Sequence, residues 1–492
     1  EQEKIAKVLC FDEKGKAVIA EIRGRIKHIC TSPIYEVRTR SGRRIRVTGY
    51  HSLFTIDGSS VKSIETSKLK AGSSYIAIPS KIGFHSEPIE QFDFLGWLKH
   101  ADYGLRVTRV RDYLKLAVGK IGAGETTSIL GLKNTKYLEY VLSRQKEISL
   151  PAGKFLALME RAAISYEASK ILVCTGKGAC KGLPGIIKLD EELALFLGQW
   201  VAEGSYNRED TVRISTSDCQ LGKIAELCAK LFGKIIIYEK KNGTVVGKGR
   251  DIYIPGRVLY VFMRHFLGLE HGADRKKAPA VVFSLDRPKL AAFLRGYFSG
   301  DGTVYENQKG IGTVEACTAS KTLASQLLYL LLYFGIVGSV REKMEWSGTI
   351  TYRIFLIGEP FRGFGQIGFL DDARNRRYER ALEAGSWHRD VQIPLSGELK
   401  EWVFQNLKKY SDASSATIGR QILLMKQAEL DTSLEKVVNA DIYWDRVEEI
   451  RQVEDEEFVY DISVEPCQNF VGGFGGIFAH NSEANLRGLF EE

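Results

Sequence analysis

The sequence is short of several residue types and patterns that mark special classes of protein. Among 492 residues there are 11 prolines and 4 methionines, which excludes Pro-rich linkers and collagen-like repeats. No apolar run reaches the ~18 residues that a membrane span needs, and Glu1 to Lys7 is charged with no apolar stretch of the signal-peptide kind. The eight cysteines, at 10, 30, 174, 180, 219, 228, 317 and 467, form no CxxC pair and no zinc-like spacing. They read as reduced and structural, with a Cys174–Cys180 bridge across a short loop as the alternative. No Gly-x-x-x-x-Gly-Lys-Ser/Thr occurs, so no P-loop ATPase is implied. Charge imbalance is also modest: 69 Lys and Arg against 61 Asp and Glu give +8, which permits nucleic-acid binding without requiring it.

Glycine, by contrast, is abundant, at 48 against the roughly 34 that average usage of about 7% gives, so turns and close backbone approaches are frequent. A chain of this length exceeds one comfortable core, and two or three domains are expected. From Ile5 to Ile56 polarity alternates in short runs, including Ala17 to Ile22, Ile34 to Arg40 and Arg44 to Thr48. Turn signals at Glu13 to Lys16 and at Ser41-Gly42 separate them, which predicts a twisted antiparallel meander. From about 85 to 185 the spacing turns helical, as in Phe94 to Leu98, Thr127 to Leu132, Tyr137 to Leu142 and Phe155 to Ala162. A break at Gly131 followed by a helix from about Thr135 fits a helix-turn-helix, and two ordinary packed helices fit it equally well. The end of the chain returns to strand pattern in Phe458 to Val464 and then to a Gly-rich apolar stretch, Val471 to Asn481.

The middle third contains an internal repeat. Leu193 to Ser205 aligns with Ala291 to Thr303 at an offset of 98, and Val212, Thr216 and Gly233 align with Val314, Thr318 and Gly335 at 102. Two copies are too few for a solenoid and suggest a pseudo-dimer about a local two-fold axis. In each copy small residues fall at i and i+4, Gly198 with Ala202 and Gly296 with Gly300, so one face of each helix lets a partner axis approach closely. Each face ends in an acid and a glycine, Glu203-Gly204 and Asp301-Gly302. The glycine is expected to release the chain as a helix C′ residue, and the carboxylates sit where the helix dipole disfavours negative charge. Two such carboxylates need a compensating cation, and Mg2+ (or Mn2+), with oxygen ligands and substrate phosphates, is the natural one.

These stretches resemble the paired motifs of LAGLIDADG homing endonucleases. The resemblance implies an αββαββα half repeated twice, a saddle of strands in the DNA major groove, and hydrolysis of one phosphodiester on each strand. It makes Glu203 and Asp301 the metal-binding catalytic acids and Lys276, in Lys276-Lys277-Ala278-Pro279, the family's K-x-x-P lysine. Arg213, Lys240, Lys241, Lys248, Arg250, Arg341 and Lys343 are candidate DNA contacts on the strands after each motif. Arg374, Arg376 and Arg377 form a denser basic patch near a tyrosine.

The flanks carry a second chemistry. In His480-Asn481-Ser482 the Asn side-chain nitrogen can attack its own carbonyl and break the following peptide bond, a neighbouring His can polarise that carbonyl, and Ser482 offers a hydroxyl as acyl acceptor. With Val459 to Val464 and Asn469 to Gly473 upstream, this stretch resembles the C-terminal splicing motifs of inteins. Thr48-x-x-His51 matches the T-x-x-H element that holds the N-terminal scissile amide, and Asp461 matches the acid that helps coordinate the steps. Gln468 stands where the family often has a His. The four motif sets occur in the order splicing, endonuclease, endonuclease, splicing, as in large archaeal inteins.

The resemblance implies an α+β multidomain protein: an all-β Hint-type splicing domain split by an insertion that contains a pseudo-two-fold LAGLIDADG endonuclease. The expected boundaries are 1–84 for the N-terminal splicing half, 85–185 for a helical DNA-recognition insertion, 186–370 for the endonuclease, 371–440 for an accessory DNA-contacting region, 441–481 for the C-terminal splicing half and 482–492 for a host remnant. The chain opens Glu1-Gln2-Glu3-Lys4 and not on Cys or Ser, and Val8 to Asp12 resembles a strand downstream of the intein nucleophile. Cys10 is therefore expected in the core, and self-processing is expected to be limited to Asn481 cyclisation. Ser482 to Glu492 resembles a stretch of AAA+ ATPases of the cell-division-cycle type. Double-stranded DNA at the intein-less host allele is the expected partner, with a monomeric, cytoplasmic protein. Two alternatives stand beside this: a DNA-binding scaffold whose nuclease has decayed, and a self-processing domain with an inert endonuclease.

Overall fold

A computed structural model describes residues 6–481 apart from 59, 85–86, 144–145, 176–181, 240–248, 309, 386–391, 408–415, 427–429, 431 and 454–456. Its internal contacts divide into two units. One is drawn from the segments up to Phe84, Gly302–Gly368 and from Ala373 onward, the other from His85–Asp301 and Phe369–Asp372.

In the first unit the alternating N-terminal runs fold as strands, but not as a self-contained meander. Strand Ile442–Val453 pairs with both Ile34–Thr39 and Tyr75–Pro79, and Phe458–Val464 pairs with Ala17–Ile29, which is longer than the sequence run suggested. Ala479, on strand Ile477–His480, pairs with Leu53 on strand Ser52–Asp57. The reason is burial. The inward side chains Val37, Ile45, Leu53, Ile76, Ile78, Val447, Ile477 and Ala479 form one core, and neither end of the chain supplies enough of it alone. Cys10 lies fully buried on strand Lys7–Phe11, as expected.

The repeat is visible as elements. In the second unit, helix Glu191–Glu203 is followed by strands Gly204–Asn207 and Thr211–Ser217, helix Asp218–Phe232, strands Ile236–Glu239 and Gly249–Pro255, and helix Arg257–Val261. Helix Arg287–Asp301 opens the second copy, which continues in the first unit as Gly302–Glu306, Gly312–Thr318, helix Lys321–Leu332, Ser339–Met344, Ile350–Ile357 and helix Glu359–Gly363. Each sheet has the same order, with the fourth strand of the copy between the second and third. Val212, Ile214, Ile252 and Ile254 face inward in one, Val304, Val314, Ile354 and Leu356 in the other, all essentially fully buried.

The segment 85–185 is not purely helical. Around helices Arg111–Leu130, Thr135–Ser143 and Ala152–Arg161 it builds a four-stranded sheet from Leu150–Pro151, Arg106–Thr108, Leu172–Cys174 and Leu183–Pro184. Strands of two or three residues are too short to show period-2 alternation. Gly131 ends the first of these helices in the left-handed region at φ +65°, where the sequence placed the break. Between 371 and 440 lie helices Asp372–Glu383 and Gly397–Asn406, with a small antiparallel pair of strands, Gln392–Pro394 and Thr417–Gly419. Among the described residues no helix is long and apolar enough to cross a membrane.

Candidate active sites

Two apolar helices form the first site. Asp190 caps Glu191–Glu203 by accepting from the Leu193 N–H at 3.0 Å, and Asp286 accepts from the Lys289 N–H, also at 3.0 Å, as helix Arg287–Asp301 begins. Their crossing depends on the glycines. A Cβ on Gly198 would lie 1.9 Å from the Phe293 carbonyl oxygen, one on Gly296 2.2 Å from that of Leu195, and one on Gly300 2.4 Å from the Ala202 Cβ. At the C-terminal ends the carboxylates converge: the same Gly300 Cβ position is 3.0 Å from the Glu203 Cγ. Gly204 departs from expectation. Its backbone is extended, φ −81° and ψ 153°, and runs directly into a strand. Glycine is required there because a Cβ would sit 2.3 Å from the Trp200 ring.

Burial, and then the Glu203 charge, push the Asp301 carboxyl up to about 8, while Lys276 and a hydrogen bond from Tyr297 oppose the shift. Lys276 is held by its Nζ donating to the Ala202 carbonyl, with Nζ 6.0 Å from the Trp200 ring centroid. Burial lowers its affinity for a proton, and the two carboxylates work against that loss. Sequence reasoning missed Gln199, one turn before Glu203. Gln199 is 2% exposed, its side-chain amide has no hydrogen-bond partner among the described residues, and its Nε2 lies 3.5 Å from where a Gly300 Cβ would be. The available signal was a polar residue inside an otherwise apolar motif helix.

The candidate DNA contacts separate. Arg213 lies on the outward face of its strand, 3.8 Å from the Asp251 carboxylate. Arg250 pairs across from Thr216, on the opposite, helix-covered face, and bonds Asp218 at 3.2 Å. It therefore does not share the face of Arg213, because the two differ by an odd number of register steps. Arg341 and Lys343 are exposed on one face of the second sheet, with Arg353, which the sequence reading passed over, opposite Arg341. Arg353 bonds Glu315 at 3.2 Å. Arg374 and Arg377 donate to the carbonyls of Gly302 and Val304, which ties their helix to the second repeat, while Arg376 is exposed. Lys240, Lys241, Lys248, Cys180 and Ser482 lie outside the described residues.

The second site gathers at the end of strand Ile477–His480. The His480 Nδ1 lies 2.5 Å from the Asn481 carbonyl oxygen, and its ring sits 5.6 Å from that of Phe54. Asn481 is buried, its side-chain oxygen has no partner among the described residues, and its N–H donates to the Gln468 carbonyl at 3.2 Å. Gln468 thus contributes main chain, at φ +51°, while its side chain is exposed. Asp461 is buried on Phe458–Val464. His51 follows strand Arg44–Thr48, its N–H donating to the Thr48 carbonyl at 3.1 Å. Its Nε2 is buried without a partner among the described residues. Burial and the His480 charge hold it below the usual histidine range, against the pull of Asp461. Asn469, not foreseen, is a cross-chain clamp. Its amide pairs with both the N–H (2.9 Å) and the carbonyl (2.8 Å) of Phe11.

Strands from both ends of the chain thus share one core, with a His-Asn pair seated at the end of strand Ile477–His480. The chain belongs to the intein splicing domain family, which matches residues 2–481. It is 26% identical over 525 residues to a DNA polymerase of Thermococcus aggregans, covering 96% of this chain and 26% of that protein. It is 24% identical over 480 residues to the glutamine–fructose-6-phosphate aminotransferase of Methanocaldococcus jannaschii, covering 93% and 42%. The chain thus spans about a quarter of the polymerase's length. Among solved structures, the homing endonuclease I-WcaI bound to its DNA recognition sequence aligns with 39% of this chain and 87% of its own at 12% identity and a TM-score of 0.30.

Proposed function

We propose that this intein carries a LAGLIDADG-type endonuclease that cuts double-stranded DNA at the host allele lacking the insertion. The observation that carries the reading is the glycine-mediated crossing of Glu191–Glu203 and Arg287–Asp301, which sets Glu203 and Asp301 together with Lys276 against them. Two crowded carboxylates with one lysine are an oxygen donor set with charge in excess, which suits a divalent cation. Glu203 and Asp301 would hold Mg2+ or Mn2+, which when bound supplies Lewis-acid stabilisation of phosphate and acidifies water. The protein's own groups do the rest. Lys276, fixed by the Ala202 carbonyl, presents a cation beside the scissile phosphate, and the Gln199 amide is free to hold a water or phosphate oxygen. Arg213, Arg341, Lys343 and Arg353 meet the backbone. Alignment to relatives of unrelated chemistry, each only partly covered, supports a mobile insert. The tail Ser482–Glu492 is read as belonging to an AAA+ host.

In the splicing centre, the Asn481 Nδ2 attacks its own carbonyl carbon, forming a succinimide while the bond to Ser482 nitrogen breaks. Nδ2 loses a proton and the leaving amine gains one. His480 Nδ1–H donates to the Asn481 carbonyl oxygen and stabilises the charge that develops there. Thr48 and His51 serve the N-terminal scissile amide, and Asp461 helps coordinate the splicing steps.

Incubation with Mg2+ and DNA bearing the uninterrupted host sequence tests the nuclease. One double-strand cut is expected, absent in Glu203→Gln and Asp301→Asn. No cutting by wild type with Mg2+ or Mn2+, or cutting that survives both substitutions, overturns it. Mass spectrometry tests the second centre: Ser482–Glu492 is released by wild type and retained by Asn481→Ala.

A further inference from the structure

The Gly-rich turn ahead of Asn481 rests on a floor. Gly473, Gly475 and Gly476 lie in the left-handed region at φ +74°, +77° and +88°, and Phe474 exchanges main-chain hydrogen bonds with Arg44 at 2.7 and 3.1 Å. Beneath them is the second repeat of the insertion. Ser325, on helix Lys321–Leu332, accepts from the Gly475 N–H at 3.0 Å. A Cβ on Gly475 would meet Leu328 at 2.9 Å, and one on Gly476 the Tyr329 ring at 3.0 Å. Arg43 runs through the middle, fully buried. Its Nε donates to the Gly475 carbonyl at 2.9 Å, and its Nη1 to the Gly338 carbonyl at 2.9 Å and to Ser41 Oγ at 2.7 Å. Ser41 in turn bonds Asp445, so a buried acid backs the buried guanidinium.

An arginine held this far from water is costly, and removing either charge leaves the other uncompensated. What the rigid guanidinium fork gives in return is fixed geometry. Here it joins three main-chain segments: the Ser41 turn, the Gly475 turn and the Gly338 loop. We propose that Arg43 and Ser325 are positioning residues for Asn481. They clamp the Gly473–Gly476 turn onto the second repeat and so set where strand Ile477–His480 delivers the Asn481 carbonyl. The strand is four residues long at about 3.3 Å each and wholly buried at Ile477, Phe478 and Ala479, so a shift of the turn passes to its far end. A misplacement of about 1 Å costs on the order of 100-fold in an aligned reaction. The insertion is then a working part of the splicing centre.

The inference rests on the Asn481 cyclisation reading, and the experiment separates the two. Release of Ser482–Glu492 is followed by mass spectrometry in wild type, Arg43→Met, Arg43→Lys, Ser325→Ala and Asn481→Ala. Expected are single-exponential release to full amplitude, slowed about fivefold in Ser325→Ala and at least ~30-fold in Arg43→Met, with partial recovery in Arg43→Lys. In parallel, amide exchange at Ile477–His480 should rise about tenfold in the Met and Ala variants while that at Ile76–Ile78 stays constant. Reduced amplitude at an unchanged rate means that the residues merely keep molecules folded, and overturns the proposal. Unchanged exchange at Ile477–His480 in Ser325→Ala overturns it too. A wild-type tail that stays intact sinks the cyclisation reading, and the exchange result alone then decides whether the clamp exists.

Discussion

The helix crossing yields a sharp prediction for Gly296→Ala. The added Cβ would lie 2.2 Å from the Leu195 carbonyl oxygen and 2.8 Å from the Gln199 nitrogen, both main-chain atoms of the partner helix that cannot rotate away. Reaching an ordinary contact means separating the axes by about 1 Å, and a gap of that size forfeits a quarter to a half of each dispersion contact along the crossing. Overpacking of this kind costs about 3 kcal/mol, offset by about 1 kcal/mol from alanine's better helix propensity. A net loss of about 2 kcal/mol lowers Tm by roughly 4–8 °C in a unit of this size. Gly222, in helix Asp218–Phe232, is the matched control, because a Cβ there meets nothing within 4 Å. Gly222→Ala should raise Tm by about 2–4 °C. Calorimetry on both variants, with DNA cleavage measured well below the transition, reads the outcome. Gly296→Ala should also cut on the order of 100-fold more slowly, since Glu203 and Asp301 move apart. A Gly296→Ala protein that melts at or above the wild type and cuts normally refutes the reasoning.

Lys276→Met should slow DNA cleavage by about 100-fold or more while leaving the Kd for DNA within a few-fold; cleavage within tenfold of wild type would remove Lys276 from the chemistry. Because His51 is held below its usual value, its neutral form contributes stability that is complete above pH about 6.5 and lost as pH falls through the lower folded value. His51→Gln should flatten that part of a Tm-against-pH curve, and an unchanged curve would count against the assignment. Trp346 stands fully in water on the loop between Ser339–Met344 and Ile350–Ile357, at the end of the sheet that carries Arg341, Lys343 and Arg353. DNA should change its fluorescence, and Trp346→Ala should weaken affinity roughly tenfold if a base stacks there.

The repeat was legible because its signals are local: small residues one turn apart and an acid-glycine pair are readable wherever they occur. The strand character of both ends was legible in their alternating polarity. What the sequence hid depends on partners distant in the chain. The burial of Arg43 depends on Gly338 and Gly475 closing around it, and the clamp made by Asn469 on its pairing with Phe11, all far away in sequence. Arg250 was grouped with Arg213 by charge alone, whereas strand register sends it to the other face. The short sheet within 85–185 escaped because its strands are held by pairing and not by pattern.

The pairing of Ile442–Val453 with both Ile34–Thr39 and Tyr75–Pro79 also sets a timetable. The latter two strands leave the ribosome roughly 400 and 360 residues ahead of their partner, which at about 5–20 residues per second is some 20–80 s. Throughout that interval the N-terminal strands have open edges, while the intervening repeats have time to form. Strand Ile477–His480 is the last of the described strands to be made. On the proposed cyclisation, the order of synthesis puts Asn481 after every other strand of the core that seats it.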